Sequence, residues 1–146
     1  MTAFAVALVV AGGIAGAVQA ALMGKFGERV GTIEAFAFAA ILTAVIGFAF
    51  LLVARQSLAG YSAASRQPVW LWSAAAMSAL IVLAITFAAP RIGTTATIGI
   101  MVAGNLAMAA VIDRFGLFGL EKIPFRSEKI LGVVLLAVGA ALSLKR

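Results

Sequence analysis

The charged residues of this chain fall between, and almost never within, five apolar runs at about residues 3–23, 33–54, 69–89, 94–112 and 130–144. A helix rises about 1.5 Å per residue, so runs of roughly 20 residues match the ~30 Å hydrocarbon core of a bilayer. Hydrophobic residues make up 64% of the chain and its mean hydropathy is +1.17, well beyond the about 45–50% apolar content of soluble domains. A chain of 146 residues cannot hide that much apolar surface inside a water-facing globule. The expected fold is all-α: one transmembrane domain over residues 1–146, with five membrane-crossing helices and the lipid bilayer as its first partner.

Composition removes several function classes. There is no cysteine and no histidine, which excludes disulfide frameworks and Cys/His zinc sites and leaves out the usual general base near neutral pH. No metal and no cofactor is expected. The net charge of +6 is spread in short clusters between apolar runs, the pattern of membrane flanks rather than of a phosphate-tracking patch, so no nucleic-acid partner is expected. Nothing resembles a nucleophile–base pair or a phosphate loop, and no enzymatic activity is expected. Ala17-Val-Gln-Ala20 has a faint likeness to a signal-cleavage site. The segment before it lacks Lys or Arg and the apolar run is long, so a retained first span is expected.

The polar residues inside the runs are few, and each has two readings. In the first run Gly12, Gly13, Gly16 and Ala20 form a ladder of small residues that lets another helix approach closely. Gln19 lies beside it, as an interhelical hydrogen bond or as a pore-lining or substrate contact. Glu34 stands at the start of the second run, after Gly31 and Thr32. There it offsets the exposed N–H groups and dipole of a helix start, or takes up a proton or cation. Residues 55–67 read as a polar loop. Pro68 then opens the third run, with Trp70 and Trp72 placed as belt anchors or, for one ring, as a stacking surface for substrate.

Pro90-Arg91-Ile92-Gly93 reads as a tight connection, which makes the third and fourth runs antiparallel neighbours. The fourth run opens on Thr94 and Thr95, carries Gly99 and Gly104, and holds Asn105 deep inside. An amide at that depth bonds to another helix or lines a wet cavity. The run closes on Asp113-Arg114-Phe115-Gly116, the start of a basic exit interval, read as an interfacial structural motif. The fifth run is short and needs snorkelling by Lys129, Lys145 and Arg146; Gly132 and Gly139 share a face suited to tight helix contact.

Five crossings put the termini on opposite sides. The N-terminal side then carries Arg55, Arg66, Arg114, Lys122, Arg126 and Lys129, and the other carries Lys25, Arg29, Arg91, Lys145 and Arg146. Six bases against five leave the positive-inside rule almost nothing to act on. A chain without that bias can insert both ways, and two opposed copies would supply the inverted repeat on which many transporters rest. Half of a ten-helix inverted-repeat architecture, completed by an antiparallel dimer, is the expectation.

Taken together, Gly12-Gly13 with Gln19, the Pro68-Val-Trp70 opening, Pro90-Arg-Ile-Gly93 and its threonines, Gly104-Asn105 and Asp113-Arg-Phe-Gly-Leu-Phe-Gly119 carry a resemblance. So does the terminal Gly132-Val-Val-Leu-Leu-Ala-Val-Gly139. Over nearly its whole length the chain resembles the YdcZ-like five-span members of the drug/metabolite transporter superfamily, relatives of the small multidrug exporters. Asn105 stands where that family often has glutamine, Met23 where it often has asparagine and Arg114 where histidine is common. The first span also lacks the mid-membrane glutamate through which small multidrug exporters couple transport. The resemblance implies a half-size transporter of the inner (cytoplasmic) membrane, working as an antiparallel homodimer or as a heterodimer with a related subunit. Small organic molecules are its expected substrates, met by Gln19, Glu34, Trp70, Thr94, Thr95 and Asn105. The alternative is a non-transporting scaffold or regulatory subunit, whose polar groups serve only as interhelical bonds.

The charge balance yields the first prediction. Reporters fused after Arg146 and active on one side only should both give signal, at levels within a few-fold of each other. Signal from one side alone would reject dual topology for this chain.

Overall fold

The computed structural model describes residues 2–122 and 127–143, and every regular element among them is helical. In order these are α1 (Thr2–Val30), α2 (Thr32–Arg55), the short α3 (Ala59–Ser65), α4 (Ser73–Ile92), α5 (Thr94–Phe115) and α6 (Ser127–Ser143). A 3-10 turn, Val69–Trp72, leads into α4, and another, Leu117–Gly119, follows α5. Among the described residues four helices are long and apolar enough to cross a membrane: α1, α2, α4 with its leading turn, and α5. The fifth expected crossing, α6, has 17 residues, and its Val134–Ser143 stretch is apolar but shorter than the other four. Leu144, where that run was expected to end, and the bases Arg126, Lys145 and Arg146 lie outside the described residues, as does the side chain of Lys129.

Several helices run past the apolar spans expected from sequence, and at two of these ends the physical reason is plain. The first helix does not stop near Met23 but continues to Val30. Its charged last turns present nothing that breaks a helix, and Lys25 Nζ bonds Glu28 Oε2 at 2.9 Å across one turn. Likewise, α4 runs through Pro90 to Ile92. Proline removes one N–H from the ladder and leaves the carbonyl four residues back, that of Thr86, without its usual donor. Helices in lipid tolerate this where the freed group is covered by protein. The expected polar loop at 55–67 also contains α3, after Gln56 closes α2 in the left-handed region (φ 49°).

The chain divides into two compact units, Leu22–Phe87 and Met1–Ala21 with Ala88–Arg146. In the first, α1 meets α2 at Gly31 alone. Gly31 has φ 105° and ψ 146°, close to an extended positive-φ region that is essentially reserved for glycine. Its N–H still donates to Gly27 O at 3.0 Å, and its carbonyl still accepts from Ala35 N at 3.0 Å. The chain therefore turns without stranding a peptide group. Phe26 and Phe38 meet edge to face across this turn, with centroids 5.8 Å apart, and Tyr61 of α3 meets Phe48 of α2 in the same way at 6.4 Å. In the second unit Gly93 makes the α4–α5 turn and α6 packs along α5.

Few side chains are buried, and they are mostly small: Ala20, Met23, Ala35, Ile85, Thr86, Ala89, Ala96 and Thr97. All lie near the ends of helices that meet at Gly31 and Gly93. The large apolar residues, such as Phe4 at 76%, are mainly exposed, as expected where lipid is the solvent. Within the first unit α1 and α4 approach closely at Gly27. A Cβ there would lie 2.9 Å from Thr86 Cγ2 and 3.5 Å from the Thr86 carbonyl that Pro90 leaves free.

This contact gives the second prediction. Alanine in place of a mid-helix glycine gains about 1 kcal/mol in propensity, but overpacking against a stiff β-branched side chain costs about 1–3 kcal/mol. Gly27→Ala should therefore lower the thermal unfolding midpoint in detergent, by a net loss of about 1 kcal/mol. Thr86→Ser in the same chain removes the obstructing methyl, keeps the hydroxyl, and should recover most of that loss.

Candidate functional site

The expected site residues divide between the two units. Gln19, Thr94, Thr95 and Asn105 belong to the unit containing α5, and Glu34 and Trp70 to Leu22–Phe87. Along α5, Thr94 and Asn105 are eleven residues apart, three helical turns and about 20° of rotation, so they share one face with about 16 Å between them. Thr95 projects about 80° away from that stripe.

Asn105 sits at the midpoint of the 22-residue α5 and is exposed on the single chain, as is Gln19, the residue before buried Ala20 on α1. Among the described residues neither amide has a hydrogen-bond partner. An amide moved from water into hydrocarbon without a partner costs about 4–8 kcal/mol. Two such groups on membrane-spanning helices therefore require water, a ligand or another chain beside them. This is the strongest chemical demand the chain makes on its surroundings.

Glu34 occupies the third helical position of α2 and is exposed. Its carboxylate folds back over Gly31, close enough that a Cβ on Gly31 would collide with Oε2. No side-chain cap hydrogen bond is made at this helix start, and the Gly31 N–H is already taken by Gly27 O. The acid thus covers the turn without capping it, and the residue as a whole is exposed. Trp70 lies in the 3-10 turn before α4, half exposed, and its carbonyl accepts a 2.7 Å bond from Ser73 Oγ. Trp72 is similarly exposed.

The motif after Asn105 has a defined backbone. α5 ends at Phe115, and Gly116 caps it in the left-handed region (φ 62°, ψ 40°), donating to Ile112 O at 2.9 Å. Phe118 (φ 59°) and Gly119 (φ 78°) also have positive φ. The chain folds back so far that a Cβ on Gly116 would lie 2.8 Å from Leu120 O and from Lys122 Cγ. The glycine is thus demanded by both dihedral and space. Asp113 is half-buried in the last turn, while Arg114 and Phe115 are exposed.

Of the glycines expected to pack helices, Gly12, Gly13, Gly16, Gly104, Gly132 and Gly139 have open space where a Cβ would project in the single chain. The tight approach falls on Gly27, which sequence reasoning did not single out. Its only signal was a glycine four residues before the Gly31 turn, on the same helical face. Two buried hydroxyls were also missed as core groups. Thr86 Oγ1 donates to Val82 O and Thr97 Oγ1 to Gly93 O, each at 2.8 Å. Both bond back to their own helix and are spent structurally.

The exposed amides give the third prediction. With no native cysteine, Gln19→Cys and Asn105→Cys should react with a water-soluble maleimide in native membranes, because thiolate forms only where water reaches. Ile46→Cys, on an exposed apolar face of α2, should stay largely unmodified. Protection of both amide positions to the level of Ile46→Cys would place them in dry helix contacts.

The sequence model of a family described as "Putative inner membrane exporter, YdcZ" matches residues 4–142. No curated protein and no solved structure matches the chain.

Proposed function

We propose, from the premise that the chain belongs to the YdcZ family of inner membrane exporters, that it is a half-size secondary transporter for small organic molecules. It is a multi-pass inner-membrane protein with a transporter-like role. In the proposed working form α6 serves as the fifth crossing and two chains pair in opposite orientations, with the substrate path at their interface. The observation that carries this reading is the pair of exposed, unpartnered amides. Asn105 at mid-helix and Gln19 on α1 are too costly to leave in lipid, and a hydrated path between two chains accommodates both.

Other groups take supporting roles in the proposal. Thr94 continues the Asn105 face toward the α5 start, Thr95 stands beside it, and Trp70 offers a flat apolar surface. Glu34, exposed at the α2 start, is the group proposed to couple transport to protons. Weakly polar groups on apolar walls suit small organic solutes with few charges, since a strongly ionic substrate would need a countercharge deeper in the spans.

Purified chain in proteoliposomes, offered a panel of small organic solutes under an imposed pH gradient, tests the proposal. Gradient-driven flux is expected for at least one solute, with Asn105→Ala reducing it at least tenfold and Glu34→Gln abolishing its response to the gradient. Unchanged gradient-driven flux in Glu34→Gln would remove the acid from coupling. Absence of any flux from a folded, paired preparation would favour a non-transporting subunit.

A further inference from the structure

The two glycine turns are alike in more than their backbone. Arg29-Val30-Gly31-Thr32 and Arg91-Ile92-Gly93-Thr94 are the same four-residue motif, save for Val against Ile, 62 residues apart. Gly31 has φ 105° and ψ 146°; Gly93 has φ 86° and ψ 153°. Each glycine donates its N–H to the carbonyl four residues before it and accepts from the N–H four residues after it, at 3.0–3.1 Å. Neither following helix has a side-chain cap bond at its start.

The burial pattern repeats in the same register. Met23 and Ile85 are buried, as are Gly24 and Thr86, and Ala35 and Thr97, whereas Ala20, Ala89 and Ala96 are buried where their counterparts Val82, Gly27 and Glu34 are not. Arg29 and Arg91 are exposed, and so are Val30 and Ile92. Helical periodicity alone would give each hairpin a buried stripe. It would not set the two stripes at the same phase on both sides of both turns, nor place the same motif at each turn.

We infer that residues 20–40 and 82–102 are two copies of one helix–glycine–helix module, and that Gly31 and Gly93 are equivalent pivots on one face of the membrane. The shared face follows from crossing parity, because two membrane-spanning helices, α2 and α4, separate the turns. Each pivot keeps its flanking hydrogen bonds, so the angle between its helices is carried by the φ and ψ of a single residue. Rotation there redirects α1 against α2, or α4 against α5, without unwinding either. The copies are not identical. Glu34 covers the first pivot, whereas Ala96 is its counterpart at the second, and a Cβ on Gly93 would meet open space.

Cysteine pairs test the duplication without reference to transport. Phe26 and Phe38 meet across the first pivot, and the 62-residue register maps them onto Ala88 and Ile100 across the second. Rings at this separation leave their Cβ atoms beyond disulfide reach, so a short bis-thiosulfonate crosslinker is applied to native membranes and free thiols are counted. Phe26→Cys/Phe38→Cys and Ala88→Cys/Ile100→Cys should crosslink at rates within about threefold, with Ala88→Cys/Val102→Cys, on the opposite face of α5, at least tenfold slower. An 88/100 pair no faster than 88/102 overturns the duplication. That pair replaces no large ring in the first module, so it decides the matter even if the 26/38 variant fails to accumulate. Equivalence of the pivots is read by transplanting the second turn onto the first, as Val30→Ile, Ile33→Thr and Glu34→Ala together. The 26/38 crosslink should persist within about twofold; a tenfold fall, or failure of the transplanted chain to fold where wild type folds, overturns it.

Discussion

In hydrocarbon no water is available to bond a peptide group, so every N–H and C=O within the spans must find its partner inside a helix. This constraint decides where the chain can reverse. An ordinary turn would strand several backbone groups at each end of each helix, and doing so near the membrane is expensive. The chain solves the problem twice with one residue. Gly31 and Gly93 each hold a backbone conformation open essentially to glycine alone while remaining donor to the helix before and acceptor for the helix after. The α5 exit is handled differently, by Gly116, Phe118 and Gly119 with positive φ at the start of the charged interval. Water is at hand there, and a more open turn is affordable.

Packing follows from the same solvent. Burying leucine or phenylalanine against another helix gains little when lipid tails already surround it, so helices are held by close approach and dispersion rather than by a greasy core. The buried positions accordingly favour Ala, Gly and Thr, and a glycine on α1 closely approaches Thr86 on α4. Pro90 belongs to this arrangement. By freeing the Thr86 carbonyl it leaves a backbone acceptor facing Gly27, where the lack of a side chain lets another backbone cover it. Motif and packing are thus one device, although Gly27 and Pro90 lie far apart in sequence.

Four of the five expected crossings were legible in the sequence as long apolar helices, in their order, because lipid imposes a length and a composition on each; α6 is shorter than the other four. Helix ends were less legible. Charge marks where lipid stops, not where a helix stops, and α1 carries Lys25, Glu28 and Arg29 on helical turns beyond the apolar run. Pro90 read as part of a connection because proline breaks helices in water; here Gly93 alone makes the turn. At the candidate site Asn105 stood out by its depth and Gln19 by its place beside the ladder of small residues; both are exposed on the single chain, and among the described residues neither has a hydrogen-bond partner. The roles of Gly27, Thr86 and Thr97 were hidden, since only a fold distinguishes a glycine in contact from one facing open space, or a hydroxyl bonded to its own helix from one offered to a ligand.

The repeated module also separates scaffold from chemistry. On the 62-residue register Glu34 corresponds to Ala96, while Gln19 and Asn105 fall just outside the two copies. The residues that make the turns are shared between the copies, while Glu34 departs from them. A scaffold residue answers to the backbone, and the backbone requirement is the same at both turns. A group that meets a solute answers to something that enters from one direction and has no reason to be duplicated. Departure from the repeat is therefore a criterion for function independent of polarity and depth, and within the copies Glu34 meets it; Gln19 and Asn105 lie outside them and rest on polarity and exposure alone. Thr94 does not meet the criterion: it corresponds to Thr32, the same residue at the same helix start, which assigns its first duty to the turn and makes contact with a solute secondary.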